Sequence, residues 1–331
     1  MATQTEPRAE VEQVLPGIYR IGCPFGDGGI VHVYYLDAPE PAIIDTGVSS
    51  SPPGTIQPAL AAAGFDAREI RSLFNTHGHW DHMGGNAALR ALAPHARTYA
   101  HAADAPLFAS LEAHLGGYTT YPARLLGDRD ALAHQQAQLR AGISVPTPVE
   151  VPVKDGQVIS LGGDWHLRVV HTPGHSLGST SYLLEHAGAL FTGDSLQGLG
   201  SRPGQLPLVF DDSRAYRATI VHLSEVPFEV LCLGHSFCGL TEESGRDPVR
   251  RGAGARRFLE ESGEAAKAIE EAMRSAVAER PGAGFLELAR TVLATLAAPL
   301  GLELDATGLN VRSLATLHAF YRELTGAPLP A

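Results

Sequence analysis

The chain has 331 residues, a formal net charge of −11, 18% charged and 44% hydrophobic residues, 36 glycines and 23 prolines. That length fits one large domain, alone or with an appendage, and the composition excludes a collagen-like, largely disordered or disulfide-stapled chain. The acidic balance argues against nucleic acid or an anionic membrane as partner, and apolar runs such as Thr291–Leu300 stop short of the roughly 18–20 residues that cross a bilayer.

Residues 1–14 read as a flexible start: MATQTEPRAE is polar, with no apolar core behind a basic residue, so no secretory signal is expected. Three cysteines, Cys23, Cys232 and Cys238, cannot all pair, which fits a reducing, cytoplasmic setting. Gly17–Gly22, Ile30–Asp37 and Pro41–Gly47 are rich in Ile, Val and Tyr between turn residues and predict strands. Pro53–Phe65 spaces Ile56, Leu60 and Ala63 as a helix does, and Gly64 closes it. Ile70–Phe74 predicts a strand running into a histidine-rich segment, Gly85–Leu92 a helix and Arg97–Ala100 a strand.

Residues 102–145 change character. Ala103–His114 and Asp128–Ala141 predict helices around a glycine and aromatic linker, Gly116–Pro122. Such an insertion beside a site serves as a lid or substrate wall, or else as a helical pair packed on the core. Strand signals return at Leu167–Val170, Thr180–Leu184 and Ala189–Thr192, then a helix at Ser213–Leu223 and a last strand at Glu229–Leu233. The order suggests two similar β-rich halves. From about Arg246 onward no strand is expected; Arg256–Arg280, Phe285–Ala297 and Val311–Leu324 predict a helical appendage that packs on the core, forms a homodimer contact or walls the substrate pocket. The domain reading is therefore 15–245 catalytic, with 102–145 inserted, and 246–331 helical.

The chemical signal is His77-Gly78-His79-Trp80-Asp81-His82, four potential ligands in six residues after a strand. Imidazole nitrogen and carboxylate oxygen suit zinc, with iron or manganese as alternatives. Alternate residues of an extended segment point the same way, so His77 and His79 can grip one ion while Asp81 and His82 turn to a second. His171-Thr172-Pro173-Gly174-His175, Thr192-Gly193-Asp194 and Leu233-Gly234-His235 each put a ligand type after a strand, with glycine allowing close backbone approach.

With Asp45-Thr46-Gly47 ahead of them, these motifs resemble the metallo-β-lactamase superfamily over about residues 15–240. The resemblance implies an α/β fold, a four-layered αββα sandwich, with the site at one edge between the sheets. Carried over, it implies His77, His79 and His175 on one divalent metal, Asp81, His82 and His235 on another, and Asp194 bridging them. Asp45 would orient a ligand histidine through hydrogen bonds. Two such cations can share a water and lower its pKa, so that a hydroxide attacks a carbonyl or phosphoryl centre, with Asp81 and Asp194 able to hand a proton to the leaving group.

The bridging position is Asp194, not the Cys ligand of the commonest metallo-β-lactamases. Gln197 stands where well-known acyl-homoserine lactonases of this superfamily have Tyr, and Ser236-Phe237-Cys238-Gly239 stands where glyoxalase II enzymes carry another segment. What remains is a glyoxalase II-like site acting on a thioester or ester of a small organic acid. A lactonase, a metal-retaining effector that binds a ligand or partner with little turnover, and an iron redox protein are the other readings. Trp80, Met83, Tyr118, Tyr121, Gln197 and Arg202 are candidates to contact a small acyl substrate.

Overall fold

The computed structural model describes residues 11–328. Among these residues thirteen strands form two sheets. The first sheet holds β1 (Val11–Leu15), β2 (Ile18–Phe25), β3 (Gly29–Leu36), β4 (Ala42–Ile44), β5 (Ser72–Phe74), β6 (Arg97–His101) and β7 (Val151–Val153), in that spatial order. The second runs β13-β12-β11-β10-β9-β8, with β8 (Val158–Ser160), β9 (His166–His171), β10 (Thr180–Leu184), β11 (Ala189–Gly193), β12 (Val230–Leu233) and β13 (Val249–Arg251). In the first sheet β1 to β4 are antiparallel and β4 to β7 parallel. In the second sheet only the β11–β12 pair is parallel.

Alternation along the strands explains the layering. On β3, Tyr34 and Leu36 point into the core between the sheets, while Val31, Val33 and Tyr35 point outward. On β12, Val230 and Cys232 face that same inner core and Leu231 and Leu233 face out. A period of two with both faces apolar requires cover on both sides. The outer face of the first sheet is covered by the helices Gln57–Ala62 and Asn86–Leu92. The outer face of the second is covered by Ser213–Glu225 and Gly252–Glu279. The result is the expected αββα sandwich. Its middle is filled by Tyr34, Phe74, Tyr182 and Phe191, and truncating one such buried aromatic costs about 3–5 kcal/mol.

Three expectations need correction. Residues 11–14 are not a flexible start: they lie in β1, which pairs with β2 and buries Val14; residues 1–10 lie outside the described part. A strand does occur after Arg246. β13 extends the second sheet, so the helical region begins at Gly252, because Val249 supplies one more buried residue to the inner core. The linker Gly116–Pro122 is not wholly a linker, since Tyr121–Leu126 is a helix that starts within it, with Pro122 in its first turn where a missing N–H costs nothing.

The C-terminal helices Gly252–Glu279, Phe285–Leu300 and Leu314–Thr325 share a core of Ile269, Met273, Leu293, Leu317 and Phe320. Their apolar faces are thus buried within the chain. Among the described residues no helix is long and apolar enough to cross a membrane, and all three cysteines are free.

Candidate metal centre

The site sits where strand ends from both sheets meet. β4 and β5 are parallel and deliver Asp45 and the segment 75–79 from their C-terminal ends. β11 and β12 are parallel and deliver Asp194 and His235 in the same way, and β9 leads into the loop carrying His175. Strand C-termini are where open sheets leave room for a site.

His77, His79 and His175 bring their rings together, with centroids 4.5 Å apart for His77–His79, 4.8 Å for His77–His175 and 4.5 Å for His79–His175. His79 then caps a single helical turn, Trp80–Met83, which swings Asp81 and His82 to the other side. There His82 Nε2 lies 3.2 Å from His235 Nε2, and Asp81 Oδ2 lies 3.3 Å from His235 Nε2. Asp194 stands between the groups: its Oδ2 is 3.5 Å from His175 Nε2 and 3.5 Å from His235 Nε2, and its Oδ1 is 3.4 Å from His82 Nε2. Three overlapping sets could each hold one ion: His77, His79, His175; His77, His82, Asp194; and Asp81, His82, His235. Gly234 has to be glycine, because a Cβ there would lie 2.7 Å from Asp194 Oδ1.

The outward nitrogens of His77, His82, His175 and His235 are spoken for. His82 Nδ1–H donates to Asp45 Oδ2 at 2.7 Å, His175 Nδ1–H to Leu208 O at 2.6 Å and His235 Nδ1–H to Ile30 O at 2.7 Å. Thr76 Oγ1 donates to Asp45 Oδ2 at 2.8 Å and accepts from His77 Nδ1 at 3.0 Å. Each of these four rings therefore turns Nε2 inward as a lone-pair donor, the arrangement that outer hydrogen bonds impose on metal-binding histidines. His77 Nε2, His175 Nε2 and Asp194 Oδ1 are buried with no hydrogen-bond partner among the described residues. Orphaned buried lone-pair atoms of this kind, drawn from the first two of these sets, fit bound cations.

Burial holds His77 and His79 well below the ordinary histidine range, so they stand neutral, ready to ligate. At His82 burial opposes charge, but the carboxylates of Asp194, Asp45 and Asp81 outweigh it and raise its pKa. Burial would likewise raise Asp194, yet His235 and His82 hold it below the usual carboxylate range.

The remaining candidates divide. Asp45 adopts φ 60° and also accepts the Thr76 amide at 2.8 Å, so it fixes both His77, through Thr76, and His82. Tyr118 stacks on His79, with ring centroids 3.5 Å apart and planes at 17°. Its hydroxyl accepts the Trp80 amide at 3.0 Å and meets His114 Nδ1 at 3.1 Å. Tyr121 is not at the centre; its hydroxyl bonds His318 and joins the insertion to the last helix. Trp80 and Met83 turn away into a side core with Phe108 and Leu139, the Trp80 ring edge-on to Phe25 at 5.4 Å. Gln197 is fully buried; its Nε2 donates to Asp194 O and Leu208 O, both at 2.9 Å, so it braces the loop beneath the ligands. Arg202 reaches the hairpin tip at Asp27 O, 2.9 Å away.

Sequence reasoning missed Phe210, whose ring lies 5.4 Å from His79 and 5.3 Å from His175. It also missed Asp104. That carboxylate is buried and accepts the Gly78 amide at 2.8 Å, the Gly178 amide at 2.7 Å and the Ser176 hydroxyl at 2.7 Å. The available signal was its position just past β6, at the same sheet end as the other ligand loops; no motif marks it.

Fold and site together define a protein of the metallo-β-lactamase superfamily. The family profile described as "Metallo-beta-lactamase superfamily" matches residues 26–235, and the chain belongs to that family. Among curated relatives it is similar to the hydroxyacylglutathione hydrolase of Thermosynechococcus vestitus, 30% identical over 45% of this chain and 43% of that protein. The hydroxyacylglutathione hydrolase of Brucella anthropi is 27% identical over 59% of this chain and 54% of that protein. The chain thus spans about half the length of the curated relatives it matches. Among solved structures, a metallo-beta-lactamase family protein from Thermus thermophilus superposes with TM-score 0.66 at 20% identity, covering 96% of this chain and 98% of that one. A subclass B3 metallo-beta-lactamase from a soil metagenome library gives 0.57 at 20% identity, over 82% and 98%. Likeness at these identities speaks for the fold.

Proposed function

We propose that the protein is a metal-dependent hydrolase that cleaves a thioester or ester of a small organic acid. The observation that carries this reading is the set of imidazoles whose Nδ1–H groups are anchored on oxygens while their Nε2 atoms converge around Asp194. His77, His79 and His175 would hold one divalent ion, Asp81, His82 and His235 the other, and Asp194 both. Zinc suits this donor set, with iron or manganese the alternatives. When bound, such a pair supplies Lewis acidity and makes water nucleophilic near neutral pH.

The chain's own residues do the rest. Asp45 locks His82 in one tautomer, and Leu208 and Ile30 do so for His175 and His235. Asp81 and Asp194 present carboxylate oxygens beside the reacting centre, where they can receive a proton and pass it to the departing thiolate or alkoxide. Tyr118 and Phe210 exclude water from one side of His79. The hydroxyacylglutathione hydrolase name of the curated relatives supports thioester chemistry.

The test is turnover by zinc-loaded protein of a panel of S-acyl thiols, small esters, lactones and phosphodiesters. Thioesters or esters should be cleaved fastest, with activity lost on chelation and restored by zinc. A fully loaded protein that cleaves none of them would overturn the reading.

A further inference from the structure

A cavity of about 170 Å³ opens beside His79. That is below the roughly 300–1,000 Å³ of sites that engulf a whole drug-sized ligand, so it takes one arm of a substrate. A carrier the size of a tripeptide or nucleotide does not fit; the acyl arm of a small thioester or ester does. His79 and Tyr118 form one wall, and Ala103, Pro106, Leu107 and Leu177 are its apolar side chains.

Two carboxyls also line it, Asp104 and Asp211. Asp104 is already committed, its oxygens receiving three hydrogen bonds from Gly78, Ser176 and Gly178. Asp211 receives the Leu177 amide at 3.0 Å and belongs to no part of the metal cluster. Among the described residues no Lys or Arg lines this cavity. Arg322 lines a separate cleft on the other side of Asp211. Burial, and then the Asp104 carboxylate, push Asp211 up to about 6. At neutral pH it is therefore mostly an anion, part-buried beside a second carboxylate, and such a group calls for a donor and repels a further anion.

We propose that this cavity is the acyl subsite, that it takes an apolar arm carrying a hydrogen-bond donor received by Asp211, and that it rejects arms ending in a carboxylate. The inference rests on the hydrolase reading above and adds the substrate class to it. It separates this chain from enzymes whose pocket reads an anionic acyl group through basic side chains.

The experiment uses zinc-loaded protein and three thioesters of one small thiol: phenylacetyl, 4-hydroxyphenylacetyl and 4-carboxyphenylacetyl. The methylene insulates the reacting carbonyl from the ring substituent. kcat/KM should be highest for the hydroxyl arm and lower for the carboxylate arm than for the plain arm by about tenfold or more. Asp211→Asn should remove most of that penalty while zinc content stays unchanged. The same three arms presented as thioethers, which lack the scissile carbonyl, should bind in the same order by calorimetry. Ordered binding without turnover would sink the hydrolase reading and keep the subsite. Turnover in which the carboxylate arm equals the plain arm, or in which Asp211→Asn leaves the ratio untouched, would overturn the subsite and keep the hydrolase reading.

Discussion

The Asp104 carboxylate receives the Gly178 amide at 2.7 Å, and so joins the end of β6 to the loop that carries His175. Through Gly78 it grips the His77–His79 segment as well, and the Ser176 hydroxyl adds a second tie to the His175 loop. A Cβ at residue 178 would come within 2.4 Å of Asp104 Cγ, so the close approach requires glycine. Asp104→Ala leaves the buried Gly78 and Gly178 amides without a partner, each costing about 1–3 kcal/mol, while the Ser176 hydroxyl keeps Ser179 Oγ at 2.8 Å. The variant should unfold at clearly lower urea than the parent and lose zinc first from the His77, His79 and His175 set, as read by titration with a chromophoric chelator. Parental urea midpoint and zinc affinity would refute this coupling.

Asp45 offers a cleaner test of tautomer control. Asn tolerates the left-handed backbone found there, φ 60°, so Asp45→Asn keeps the turn and removes the charge behind His82. Zinc affinity should fall by about 10–100-fold. An unchanged affinity would mean that the Asp45–His82 contact does not shape the metal site.

Asp194 touches His82, His175 and His235, whereas His235 touches only its own side. Asp194→Ala should therefore weaken both ions together, and His235→Ala mainly one. Elemental analysis after dialysis should read fewer than one ion in the first variant and close to one in the second. Full occupancy in Asp194→Ala would dismiss the bridging role.

Tyr118 and Tyr121 lie three residues apart but face different partners. Tyr118→Ala removes the ring stacked on His79 and should change KM or acyl preference by about tenfold, a difference of about 1.4 kcal/mol. Tyr118→Phe keeps the ring and should stay close to the parent in both. Tyr121→Phe should leave kinetics alone and lower stability, because its hydroxyl bonds His318 on the last helix. Equal kinetic effects of Tyr118→Ala and Tyr121→Phe would contradict this division.

His318 also fixes a pH dependence. Burial first, and then the Arg322 charge, lower its pKa to about 4 in the folded chain, against about 6.5 unfolded. Between those values the unfolded state binds the extra proton, so stability falls as pH drops from about 6.5 to about 4. His318→Asn should flatten that part of the urea-midpoint profile relative to the parent. A parent and variant with parallel profiles over this window would count against it.

Local chemistry made much of this protein legible in its sequence. Thr180–Leu184 is a strand with the bounds its β-branched and aromatic content suggested, and the family motif at 77–82 marked the metal-type cluster because four potential ligands in six residues have no packing use. Strand ends followed by Gly and a ligand type, at His175, Asp194 and His235, are also local patterns. Tertiary structure decided what depends on contacts between distant segments. β13 is three residues long and exists through pairing with β12, so no window of sequence announced it. Asp104 resembles any loop aspartate until three donors from two remote loops meet it. Gln197 and Tyr121 read as pocket residues, yet one is buried under the ligands and the other faces a helix nearly two hundred residues away. Propensity and motif act over a few neighbours, whereas the direction a side chain takes is set by which surfaces the packed sheets bring against it.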